Sequence, residues 1–90
     1  MGATYHIDFH IPVKELGASR GYVLEAPQLL TAEQMLAALS NRFANVRLLM
    51  RYGQHGRPPV VMLVDGRTLG LGDVVPDGAT VRIVGAVAGG

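Results

Sequence analysis

Thr31 to Ala44 is the one stretch of this 90-residue chain in which apolar residues recur convincingly at helical spacing. Met35, Leu36, Leu39 and Phe43 fall on a single stripe, the pattern of a helix that buries one face. Thr31 opens it as an N-cap, and Gln34 three residues later can complete a capping box. Glu33 in the first turn suits the positive end of the helix dipole. Asn41 and Asn45 are poor helix formers, so the helix is expected to stop near Ala44. A chain with one such helix must build the rest of its core from strands.

Strand signals surround the helix. Tyr5, Ile7, Phe9 and Ile11 alternate with His6, Asp8 and His10, a period of two that makes a strand with one buried face. Pro12 closes it, because proline cannot donate to a sheet ladder. Gly17 to Gly21 reads as a turn and Tyr22 to Glu25 as a short returning strand, together a hairpin. Val60 to Val64 is apolar on both faces, and Asp65-Gly66 is a hairpin-turn signal leading to a further short strand. Pro76-Asp77-Gly78 is another turn, and Thr80 to Val84 is the last strand. Gly53 to Pro59 reads as a surface loop; Val46 to Met50 is either a second short helix or a covering loop.

This order describes an α+β layer: one sheet, with the helix across one face. The other face is left open, and Val60 to Val64 cannot hide all of its side chains under the helix. Either Val60, Met62 and Val64, or Val61 and Leu63, point to the open face. Exposed apolar patches mark partner sites, and Val60, Met62 and Val64 are the candidate patch. The alternative is that the segment from Val46 to Pro59 covers that face.

Composition excludes most chemistry. Hydrophobic residues make up 49% and charged residues 17%, too apolar for a disordered chain. The absence of cysteine excludes disulfides, Cys-based zinc sites, Fe–S clusters and a thiol nucleophile. Eight basic against seven acidic residues leave no footprint of nucleic-acid binding. Arg42, Arg47, Arg51 and Arg57, four of the seven arginines, read as a solvated surface. No run approaches the ~18 to 20 apolar residues of a membrane span, and the N-terminus lacks the features of a signal peptide. A soluble cytoplasmic protein is expected, with neither nucleic acid nor membrane as partner.

No intrinsic catalytic group stands out. His6 and His10 would lie roughly 13 Å apart along a strand, too far to share one metal ion, so His6, Asp8 and His10 read as a solvent-facing polar row. His55 reads as solvated. Gly70-Leu71-Gly72 begins like a dinucleotide fingerprint, but Val75 occupies the third glycine position.

The C-terminal end carries the remaining signal. Val60-Val61-Met62-Leu63-Val64-Asp65-Gly66, then Pro76-Asp77-Gly78-Ala79-Thr80-Val81-Arg82-Ile83, then Val87-Ala88-Gly89-Gly90, resemble the ubiquitin-like sulfur carriers. That family includes the molybdopterin synthase small subunit and the thiamine-pathway sulfur carrier. Two departures stand out: Gly85-Ala86 where many molybdopterin-type members have two prolines, and Ala79 at a commonly acidic position. The resemblance implies a β-grasp domain over residues 1–84, with a mixed sheet of four to five strands and one main helix. It also implies a flexible tail over residues 85–90.

The resemblance further implies a carrier rather than an enzyme, with no permanently bound cofactor. A ubiquitin-activating-type adenylyltransferase would use ATP to adenylate the Gly90 carboxylate. A persulfide or sulfide donor would convert it to a thiocarboxylate, and a sulfur-accepting synthase would take the sulfur. Gly85, Ala86, Val87, Ala88 and Gly89 would thread into the partner's active site; six residues, Gly90 included, extend roughly 20 Å, and Val87 is either an anchor or a spacer. The same carboxylate would serve a modifier joined to lysines; Lys14, the only lysine, would limit self-linked chains to one side chain. A plain binding module is the third alternative.

Overall fold

The structure, a computed structural model, describes residues 2–51 and 60–85, with residues 49–51 described by their backbone. Five strands form one sheet: β1 (Ala3–Phe9), β2 (Gly21–Ala26), β3 (Val60–Val64), β4 (Arg67–Thr68) and β5 (Thr80–Gly85). Two helices, α1 (Ala32–Arg42) and α2 (Ala44–Arg51), lie between β2 and β3, and a 3-10 turn at Lys14–Leu16 joins β1 to β2. The strand order is β2-β1-β5-β3-β4. β1 and β5 are parallel, and every other pairing is antiparallel.

The period-two pattern of β1 becomes burial directly. Tyr5, Ile7 and Phe9 are buried while His6 is exposed, as side chains alternating across a sheet require. The strand ends at Phe9, two residues before the alternation in the sequence does; the Phe9 N–H donates to the Arg20 carbonyl at 2.8 Å, the last rung in the register of the β2 pairing. Val81 and Ile83 of β5 and Val60 and Met62 of β3 bury on the same face. Met35, Leu36 and Leu39 of α1 close that core from above, and no polar or charged residue is buried among the described residues.

The capping box at Thr31 is present in both directions. Thr31 Oγ1 accepts from the Gln34 N–H at 3.2 Å, and Gln34 Oε1 accepts from the Thr31 N–H at 2.9 Å. α1 stops at Arg42 because Phe43 adopts an extended conformation (φ −120°, ψ 117°). That break turns the Phe43 ring into the core, edge-on to Phe9 at 5.3 Å and to Tyr22 at 4.9 Å, a favoured aromatic geometry. The chain resumes at once as α2, which buries Val46. The segment after the first helix is therefore helical rather than loop through Arg51, and Val46 joins the same core cluster as α1. Between β3 and β4, Asp65 (φ 52°) and Gly66 (φ 77°) both occupy the left-handed region, which a two-residue hairpin turn demands.

Candidate functional site

β5 is the element that leads toward the Gly-Gly end, and it is held on both sides, by β1 and by β3. Its last residue is Gly85, paired with Val60. A Cβ at Gly85 would sit 3.5 Å from Ile11 Cγ2, an ordinary contact. Gly85 therefore belongs to the strand, one residue beyond the boundary expected at Val84. The other expected tail residues, Ala86, Val87, Ala88, Gly89 and Gly90, lie outside the described residues.

The expected partner patch of Val60, Met62 and Val64 is corrected by the structure. Val60 and Met62 are 1% and 3% exposed, under α1, and Val64 is half-buried against the same core. Register is the reason: Met62 lies opposite the buried Ile83, whereas Val61 lies opposite Val84 and Leu63 opposite the exposed Arg82. Shifting a strand by one residue exchanges its two faces, and a strand apolar on both faces carries no mark of which is inside. The open face accordingly presents Val61, Leu63 and Val84, each half-buried.

Beside these residues lies a small charged group. Asp8 Oδ2 pairs with His10 Nε2 at 2.9 Å, and Arg82 Nε is 3.9 Å from the same oxygen. His6 stands apart, exposed on the same side of β1. Among the described residues, no group of three or more His, Asp or Glu side chains is placed to hold a metal ion. The Gly70–Asp73 segment forms a turn, with the Gly70 N–H donating to Asp73 Oδ2 at 2.7 Å.

A feature that sequence reasoning missed lies where β1 and β5 end. The 3-10 turn and α2 enclose a groove of about 770 Å³ lined by Pro12, Val13, Lys14, Ala44, Arg47 and Leu48, among others. Two hydrogen bonds tie its walls together. The Ala44 N–H donates to Glu15 Oε2 at 2.9 Å, and Asn45 Nδ2 donates to the Pro12 carbonyl. Glu15 thus places its charge at the N-terminus of α2, where the helix dipole favours an anion. The Ala44 hydrogen bond, then its own backbone N–H, then the nearby Lys14 and Arg47 hold its carboxyl below the usual glutamate range, outweighing partial desolvation. The sequence held a signal for this groove only in the helical spacing of Val46 and the residues after it.

Against known structures, the solution structure of the HVO 2177 protein from Haloferax volcanii superposes with a TM-score of 0.75 over 99% of this chain and 88% of that one, at 20% identity. The crystal structure of SAMP1 from Haloferax volcanii gives 0.67 over 97% of this chain and 99% of that one, at 22% identity. The fold is a ubiquitin-like β-grasp. No protein-family model and no curated protein sequence matches the chain. Five strands and one main helix agree with the expected architecture, and α2 adds a second helix to it. Among the described residues no helix is long and apolar enough to cross a membrane.

Proposed function

We propose that this chain is a ubiquitin-like sulfur carrier whose cargo is bound at the carboxylate of Gly90. The observation that carries the reading is the conjunction of a β-grasp domain with a Gly-Gly pair four and five residues past its last strand. β5 is anchored between two neighbours, so the domain supplies a rigid base at Gly85. Five further residues, Ala86, Val87, Ala88, Gly89 and Gly90, can reach about 17 Å from there. Glycines at the tip have no side chain to clash in a narrow channel.

A carboxylate is ionised at neutral pH, its pKa being near 3.5, and is a poor acyl donor. Activation requires a partner adenylyltransferase of the ubiquitin-activating type. The carboxylate attacks the α-phosphorus of ATP, pyrophosphate leaves, and an acyl adenylate forms. Hydrosulfide then adds to the acyl carbon and AMP departs, leaving a thiocarboxylate. A persulfide donor reaches the same product through an acyl disulfide that a second thiol reduces. A sulfur-accepting synthase takes the sulfur and regenerates the carboxylate. The chain itself supplies the acyl group and the docking surface, and no catalytic side chain.

The test is intact-protein mass spectrometry after incubation with a ubiquitin-activating-type adenylyltransferase, ATP and sulfide. The expected result is the mass gain of one oxygen exchanged for sulfur, located in the C-terminal peptide and absent when Gly89 and Gly90 are deleted. Failure to gain that mass overturns the reading. Transfer of the acyl group to lysine amines in its place would assign the carboxylate to protein modification instead.

A further inference from the structure

Most charges of the described residues are sorted along the strands, Arg67 opposite Val64 being the exception. Arg20 accepts through its carbonyl from the Phe9 N–H, Arg42 closes α1, and Lys14 and Arg47 line the groove. All four therefore lie where β1 and β5 finish. Glu25 lies opposite Thr4, Asp77 accepts from the Thr4 N–H, and Asp73 and Leu71 accept through their carbonyls from the first turn of α1 at Ala32 and Glu33. Those four carboxylates lie where β1 begins. Seven residues of β1 separate the two ends by roughly 20 Å. The carboxylates at the basic end are engaged, Glu15 on the α2 N-terminus and Asp8 with His10 and Arg82.

Each end also exposes apolar groups. In the basic groove Leu48 is 46% exposed beside Pro12 and Val13. At the acidic end Leu29, Leu71 and Val74 are 50%, 46% and 57% exposed. They share one ridge because Thr31 bridges to Val74 and the Val75 N–H donates to the Leu30 carbonyl.

We propose that the acidic ridge of one copy seats in the basic groove of the next, so that the chain self-associates head to tail. The two surfaces match in both respects that an interface uses, apolar against apolar and carboxylate against cation. Exposed ion pairs contribute little individually, so the apolar contact holds the copies together and the charges orient them. Such an interface is heterologous: every dimer retains one free groove and one free ridge, and growth continues as concentration rises.

Sedimentation velocity on the full chain, from about 10 to about 500 µM in about 20 mM salt, tests this. The weight-average sedimentation coefficient is expected to rise with concentration, and to rise less steeply in about 0.5 M salt, where the orienting charges are screened while the apolar contact remains. Arg47→Glu with Leu48→Ser removes the groove, and Glu33→Arg with Val74→Ser removes the ridge; all four side chains are exposed, and circular dichroism checks that both variants fold. Each variant alone is expected to stay monomeric. An equal mixture is expected to form dimers and nothing larger, since one partner offers only a ridge and the other only a groove. A wild-type chain that remains monomeric throughout overturns the proposal, as does a dimer that survives in either variant.

Discussion

Tyr5→Phe removes one oxygen from the centre of the fold, and the structure says what that oxygen does. Tyr5 is fully buried on β1. Its hydroxyl donates to the Val75 carbonyl at 2.8 Å and accepts from the Leu30 N–H at 3.0 Å, tying the segment that enters α1 and the segment that precedes β5 to the sheet. Phenylalanine keeps the ring packing and leaves both backbone groups without this partner. An orphaned buried polar group costs about 1 to 3 kcal/mol. Val75 is fully buried and belongs near the upper figure, while Leu30 is partly buried and water can offset part of its loss. The total is about 3 kcal/mol, a large share of the ~5 to 15 kcal/mol that holds a typical domain. For a domain of this size that is a fall in Tm of roughly 12 to 24 °C. Urea unfolding followed by circular dichroism measures it, and the slope should be unchanged because the buried area is nearly the same. Amide exchange should accelerate at Ala32, Glu33 and Val75, whose N–H groups bond within these two segments, more than at Val81 or Ile83. A loss below about 1 kcal/mol, or uniform acceleration across the sheet, would refute the reasoning.

Three further outcomes are expected. Thr31→Ala breaks the capping box and should cost about 1 kcal/mol, read from the urea midpoint. Leu39→Ala opens a cavity at a fully buried position between α1 and the sheet and should cost about 2 to 5 kcal/mol by the same measurement, whereas Ala37→Ser on the exposed side of α1 should stay within about 0.5 kcal/mol. Glu15→Gln tests the tether of α2. Because the folded state holds this carboxyl below its ordinary range, its stabilising charge is fully present above that range and is lost as pH falls through the lowered value. The wild-type advantage over Glu15→Gln in urea should therefore be present at about pH 7 and shrink as pH falls below the ordinary glutamate range, with faster Ala44 amide exchange in the variant at the higher pH.

Local signals in the sequence translated into structure wherever the responsible residues are close along the chain. The capping box at Thr31 and Gln34, the Asp65-Gly66 turn and the alternation of Tyr5, Ile7 and Phe9 each depend on neighbours within a few residues, and each is present. Phe43 shows the limit. Its spacing continues the helical stripe, yet contact with Phe9 and Tyr22 draws it into an extended conformation that ends α1. Tertiary packing outweighs a propensity difference that is only a fraction of a kcal/mol per residue. The candidate site was read unevenly for the same reason. The Gly-Gly ending is legible as letters, whereas the facing of β3 and the groove beside α2 are not.

What the sequence alone determined is the inventory: one capped helix, strands of period two, no thiol, and a Val87-Ala88-Gly89-Gly90 run after the last strand signal. Tertiary structure decided which face of β3 is inside, because Val60, Val61, Met62, Leu63 and Val64 are apolar throughout and only pairing with β5 chooses between them. It also decided the charge polarity. Near-neutral net charge says nothing about distribution, and the folding of β1 against β5 and of α2 against the 3-10 turn gathers Lys14, Arg20, Arg42 and Arg47 at one end. Charges far apart in sequence share a surface only once strands of opposite ends of the chain lie side by side, and no local pattern encodes that.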